Sequence, residues 1–430
     1  MAPQIPRSPA PPAYLPRSVD AELARLLRAV GAVLLEGPKA CGKTETARQV
    51  AASEVLFDID PQVNAAMDVD PRLLLVGPAP RLLDEWQLEP EIWNHVRREV
   101  DERNKHGLKG QFILAGSAVP ADDVTRHSGA GRIARLRMRP MSLAESGYSS
   151  GAISLAALLA GNPSQSDDSG LTVPEIAERI AVGGWPAIQR DAVPQALTVV
   201  RGYIDEICRV DVQRVRGVRH DPDRVRRLLR SLARNVTTYV GAQTLALDTG
   251  GDDAAIDEKT TRGYLDDLGR IFVTEDQGAW STHLRSRSTL RKSAKRLFVD
   301  PSLAVAALAV TPERLLDDLN LLGLLFENLV IRDLRIHAQA AEGQVLQYRD
   351  NTGLEVDAIV ELPNGSWGAF EVKLGAGQVE AGANSLLRFR ERVDATRAGQ
   401  PAVLGVIVAT GYGYLRGDGI AVIPIGALAA

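Results

Sequence analysis

Residues 37–44 read Gly37, Pro38, Lys39, Ala40, Cys41, Gly42, Lys43 and Thr44, which fits G-x-x-x-x-G-K-[ST] without a gap. Each residue type has a chemical reason. Glycines let backbone N–H groups turn inward around a polyphosphate, Lys43 reaches the outer phosphates, and Thr44 offers a hydroxyl to Mg2+. Cys41 reads as a small filler of the loop. The apolar run "AVLLEG" before the loop predicts a buried strand, and "GKTETARQVAA" after it predicts a helix whose positive dipole end faces the same anion. The expected ligands are ATP and Mg2+, held by residues 37–44.

A partner acid is expected at the end of another strand. In "RLLDEWQ", Asp84 would hold Mg2+ through water and Glu85 would orient or deprotonate the attacking water. "FILAGSA" ends a further strand at Ser117, a polar group able to touch the outer phosphate or the water. Arg132, in "GAGRIARL", could neutralise transition-state charge from a neighbouring subunit.

A second constellation lies near the other end. "LEVDAIVEL", then "PNG", then "SWGAFEVKL" predicts a hairpin by alternation and turn residues. Glu371 and Lys373 are two apart on one strand, so they share a face, and the turn brings Asp357 near them. Two carboxylates can hold Mg2+ while a lysine positions or activates water against a phosphodiester. Glu327, on a predicted helix at "LFENLV", is the further metal ligand of this set. The competing reading is an ordinary cross-strand charge pattern.

The elements around these residues set the organisation. The 430 residues exceed one small core, which predicts two to three domains. Residues 1–18 form a proline-rich extended arm, 19–145 an α/β nucleotide-binding core and 146–222 a helical lid or linker. Residues 223–300 read as a small winged helix with strands at 271–274 and 296–299. Residues 301–430 form a third, α/β unit. A net charge of -4 excludes a globally basic nucleic-acid binder but not a local basic patch. The stretch from Arg285 to Arg296 is such a patch, whereas the expected recognition helix, 257–268, is too acidic for base reading. Two distant cysteines predict no disulfide framework and fit a reducing cytoplasm. No apolar stretch reaches membrane-spanning length.

The pieces "YLPR", "LLEGPKACGKT", "LLDEWQLEPEIW", "FILAGSA", "GRIARLRMRPMSLAE", "GGWP", "LFENLVIRDL", "EVDAIV" and "FEVKLG" occur in this order. In that combination the chain resembles prokaryotic AAA-type ATPases that carry a DUF4143 C-terminal region. The resemblance implies a P-loop AAA-type ATPase domain with a helical lid, a winged-helix-like middle and a C-terminal restriction-endonuclease-like α/β domain of the PD-(D/E)xK kind. It departs from well-studied AAA proteins at Ser117, where Asn is common, and in the short strand before Asp84. The functional expectation is ATP hydrolysis controlling a C-terminal nuclease-like or nucleic-acid-associated domain, with DNA or RNA met through 285–296 and the C-terminal domain. The alternatives are a nucleotide-dependent switch that docks a protein partner and carries an inactive nuclease fold, and a small-molecule kinase. Ring-like homo-oligomers occur among AAA relatives.

Overall fold

The structure is a computed structural model that describes residues 14–117, 129–212, 221–250, 257–281 and 294–430. Strand β1 (Ala32–Glu36) lies inside a parallel sheet with β2 (Ser53–Leu56), β3 (Arg81–Asp84), β4 (Phe112–Gly116) and β5 (Ile133–Arg137), in the order β2-β3-β4-β1-β5. Both faces of β1 are covered, which is why its sequence is apolar from Ala32 to Leu35. Ala32 and Leu34 join one cluster with Phe112, Leu114 and Val100, while Val33 and Leu35 join another with Leu23, Leu27 and Leu82. Strand β5 closes the sheet on the far side of β1. Edge strand β2 went unread because "SEVL" has too few apolar positions to signal a strand.

Helices Leu155–Leu159, Val173–Val182 and Val193–Glu206 follow, the last continuing into a π-helical turn at Ile207–Asp211. Helices Pro222–Arg234, Ala242–Gly250 and Glu258–Arg270 come next. The strands expected at 271–274 and 296–299 are not continuous. Single bridges join Thr274 to Phe298, Gln277 to Lys295 and Thr238 to Arg296. Phe272 adopts a left-handed φ of 59°, which breaks the extended run.

Helices Pro301–Leu308, Pro312–Leu316 and the long helix Leu319–Ala340 lead into the second sheet. Its strands are β7 (Gln344–Arg349), β8 (Glu355–Glu361), β9 (Trp367–Lys373), β10 (Val403–Val408), β11 (Tyr414–Leu415) and β12 (Ala421–Pro424), ordered β11-β12-β10-β9-β8-β7. Strands β7 to β9 are an antiparallel meander, as the hairpin expectation has it. The crossover from β9 to parallel β10 runs through helix Val379–Arg392. Strands β6 (Ile153–Ser154) and β13 (Leu428–Ala429) pair, tying the chain's last residues to the start of the helical region.

The cores divide unequally. The N-terminal sheet has its own two clusters, none of whose members lies beyond Met138. One continuous cluster runs instead from Leu143 through the helices between 155 and 206, those between 222 and 270 and the long helix into β8, β9 and β10. The N-terminal module meets that body largely through polar contacts. Arg139 bonds Glu275 and Gln339, Gln339 bonds Glu22, and Asp333 accepts the Leu143 amide.

Candidate functional site

The phosphate-type loop follows the carboxyl end of β1, and register places Glu36 opposite Gly116 and Asp84 opposite Ala115. The loop, Asp84 and Ser117 therefore gather at one edge of the sheet, where parallel α/β sheets hold their ligands. Gly37 has no alternative: a Cβ there would come within 2.1 Å of the Met138 carbonyl oxygen. Gly42 takes a φ of 99°, which a side chain strains.

Lys43 is buried, and its ammonium donates to the carbonyl oxygens of Gly37 at 3.1 Å and Pro38 at 2.8 Å. Among the described residues no carboxylate pairs with it. A buried cation facing only carbonyl dipoles leaves room for an anion as its charge partner. The Thr44 hydroxyl donates to Asp84, 3.1 and 3.0 Å from its two oxygens. These are hard oxygen donors of the kind Mg2+ takes, so the residues fit a nucleotide with its cation. Burial pushes the Asp84 carboxyl above its ordinary value; the Thr44 bond opposes this and the Glu85 charge adds to it.

Glu85 is half-buried, sits at a left-handed φ of 53°, and accepts a hydrogen bond from the Gln87 amide. A non-glycine residue held in that conformation is a local strain of the sort that collects at functional sites. Ser117 is buried at the end of β4. Arg132 stands elsewhere. It precedes β5 at the end of the sheet where β1 begins, opposite the loop, and its Nε donates to Asp101 at 2.7 Å. In its own chain it does not join the loop.

Three loop partners went unread in the sequence. Arg17, of "YLPR", donates to the Cys41 and Arg139 carbonyls at 2.8 Å each and lies 3.3 Å from Glu145. The Lys39 ammonium meets Asp211 at 2.5 Å, and the Tyr203 hydroxyl donates to the Lys39 carbonyl at 3.3 Å. Only Arg17 carried a signal, as part of a quoted motif; Asp211 and Tyr203 carried none. Cys41 is buried beneath the loop, as a filler would be.

The second constellation lines a cavity of about 740 Å3 walled by Asp357, Glu371, Lys373, Ser385, Arg388 and Arg392. Lys373 Nζ is 2.6 Å from Glu371 and 3.8 Å from Asp357. Burial, then the Asp357 charge, push Glu371 up to about 7, against the pull of Lys373 and Ser385. Burial would also raise Asp357, but Lys295 and Lys373 outweigh it and hold it below its usual value. Glu327, on the long helix, does not open freely onto this cavity as a third metal ligand. Lys295 stands between it and Asp357, at 2.8 and 3.2 Å. Among the described residues no group of three His, Cys, Asp or Glu side chains is placed to hold a metal ion. The Glu327, Asp357 and Glu371 carboxylates of the expected set instead meet Lys295, Lys373, the Ser385 hydroxyl and the Val372 amide, donors that a metal would have to displace.

Most of the basic stretch 285–296 lies outside the described residues. Arg296, which is described, pairs with Asp276, and Lys295 is the buried cation above. No helix among the described residues is long and apolar enough to cross a membrane.

Residues 30–147 match the model of an AAA domain, 173–314 that of a domain of unknown function, DUF8612, and 322–428 that of another, DUF4143. Two curated mycobacterial proteins, both described as uncharacterized, are similar to the chain. Rv2008c of Mycobacterium tuberculosis and Mb2031c of Mycobacterium bovis are each 27% identical over 370 residues, covering 83% of this chain and 73% of theirs. Among solved structures, the Walker-type ATPase paby2304 of Pyrococcus abyssi is 14% identical, with a TM-score of 0.39 over 67% of this chain and 94% of its own. The STAND protein PH0952 of Pyrococcus horikoshii, with a tetratricopeptide repeat sensor, is 12% identical, with a TM-score of 0.19 over 77% and 49%. On the family matches and the intact phosphate-loop motif, the chain carries an AAA-type P-loop ATPase domain followed by a DUF4143 C-terminal region.

Proposed function

We propose that this protein hydrolyses ATP at the N-terminal loop and uses the nucleotide state to control its C-terminal domain, a nuclease-like or nucleic-acid-associated unit. Lys43 would balance charge on the outer phosphates. Thr44 and Asp84 would hold Mg2+, which when bound neutralises charge across the phosphate oxygens. Glu85 would orient the attacking water and accept its proton, and Ser117 would sense the outer phosphate. Arg132 would serve a neighbouring copy's site in a homo-oligomer.

One observation carries the coupling. Lys39, inside the loop, is bonded through its side chain to Asp211 and through its carbonyl to Tyr203. Both partners stand on the helical stack whose core continues into the C-terminal sheet. A rearrangement at the loop on nucleotide binding or release would therefore pull on the body that bears Asp357, Glu371 and Lys373. The polar joint between the two cores suits relative movement.

The test is ATP turnover with and without single-stranded DNA, duplex DNA and RNA, together with nucleic-acid binding by anisotropy with and without ATP. Wild type, Lys43→Ala and Asp357→Ala are compared. Lys43→Ala should abolish both turnover and the nucleotide dependence of binding, and Asp357→Ala should alter the nucleic-acid response alone. Indifference of the C-terminal domain to Lys43→Ala would sink the coupling. The second reading, a nucleotide-dependent protein-docking switch with an inactive nuclease fold, is favoured by one feature, the Lys295 ammonium among the C-terminal carboxylates.

A further inference from the structure

We infer that Lys295 is a built-in substitute for a divalent cation, holding Glu327 and Asp357 together so that the C-terminal pocket needs no metal at that position. The inference rests on the nuclease-like reading of the pocket and specifies what cation that pocket contains.

The geometry makes the case. Lys295 Nζ lies 2.8 Å from Glu327 Oε1 and 3.2 Å from Asp357 Oδ1, so one nitrogen bridges two carboxylates from different elements. That is the placement a bridging metal would have, with somewhat longer contacts than the ~2.1 Å of Mg2+. The lysine side chain is 3% exposed, so the ammonium is not a surface charge that wanders in. Three of the other four oxygens also have donors. Asp357 Oδ2 accepts the Val372 amide at 2.9 Å. Glu371 Oε2 meets Lys373 at 2.6 Å, and Glu371 Oε1 accepts the Ser385 hydroxyl at 3.1 Å. Lys295 and Lys373 sit among these three carboxyls, and a divalent ion would have to displace one of the lysines to gain ligands.

The backbone fixes Lys295 in this place. Its amide and carbonyl bond Gln277, whose side chain donates to the Asp357 and Leu346 carbonyls. The same segment then inserts Trp280 into the C-terminal core, where its ring centroid is 4.8 Å from that of Trp367. The plug is therefore delivered by the segment before the DUF4143 match, and the DUF4143 region alone would present Glu327 and Asp357 without their cation.

The test is Mn2+ binding followed by electron paramagnetic resonance, on nucleotide-free full-length protein. An Asp84→Asn background silences the N-terminal cation site. The unmodified tail should show no Glu327-dependent Mn2+ below about 1 mM. Lys295→Met should gain one Mn2+ per chain, about tenfold or more tighter, and Glu327→Gln in that variant should remove it. A rise in melting temperature with Mn2+, seen in Lys295→Met and absent with lysine present, provides the second readout should the variant be unstable. Lys295→Arg, which keeps the charge, should gain nothing. Mn2+ bound through Glu327 with Lys295 in place would overturn the substitution while leaving a nuclease-like metal site standing. A folded Lys295→Met that binds no Mn2+ would overturn it too. Failure of the nucleotide coupling shows in anisotropy, a readout these titrations do not share.

Discussion

Arg332 is the most exacting test of how the body of this protein is held together. Its guanidinium donates to Asp300 at 2.8 Å and to Asp333 at 2.8 Å, and all three side chains are 2% exposed or less. Asp300 also accepts the Gly184 amide at 2.9 Å and the Ser302 hydroxyl at 2.6 Å; Asp333 accepts the Leu143 amide at 2.9 Å. The cluster joins the end of the ATPase core, the "GGWP" turn, the start of helix Pro301–Leu308 and the long helix. Burial would lower the Arg332 pKa, but Asp333 and Asp300 hold it above its ordinary value. Arg332→Met keeps much of the volume and strands two carboxylates in a core. Breaking a buried ion pair from one side costs about 3–5 kcal/mol. With separate cores, urea unfolding followed by tryptophan fluorescence should show separate transitions. The one reported by Trp185, which bonds Ser302, should lose roughly 4 kcal/mol, with the N-terminal transition little changed. Adding Asp300→Asn and Asp333→Asn should recover part of the loss, because neutral amides bury at lower cost. A loss under about 1 kcal/mol, or an equal shift in both transitions, would refute this account of the hub.

Three further outcomes follow from named contacts. Glu85→Gln should keep ATP binding and slow single-turnover hydrolysis by about 10²–10⁴; unchanged hydrolysis would remove Glu85 from the reaction. Lys39→Ala and Asp211→Ala, combined in a double-mutant cycle on nucleotide-dependent binding, should show a coupling of about 1 kcal/mol, because one partner is half-exposed; strict additivity would show that the pair transmits nothing. Glu275 is partly buried, which raises its pKa, but Arg139 and Arg335 outweigh this and hold it far below the usual carboxylate range. The stability it contributes is fully present above about pH 4.3, its unfolded value, and is lost as pH falls towards the depressed folded value. Glu275→Gln should therefore lose about 3 kcal/mol at pH 7, and its pH–stability curve should converge on that of wild type in acid; parallel curves would argue against the ion cluster.

The sequence by itself determined what is local. The phosphate loop is read from eight adjacent residues because its chemistry needs a fixed short spacing. The β8–β9 hairpin is legible because side chains alternate faces and a turn residue sets register, which brings Asp357, Glu371 and Lys373 together. Only the tertiary structure decided what depends on distant segments meeting. Lys39 finds Asp211 172 positions away, and Lys295 finds Asp357 62 positions away. Neither residue carries a local pattern that names its partner, and a buried lysine looks the same in sequence as a solvated one. The basic stretch ending in Lys295 and Arg296 reads as a surface for nucleic acid, yet folding turns Lys295 inward. Burial there is favourable only because two carboxylates from the long helix and β8 already occupy the site, and their charge makes an interior ammonium stable.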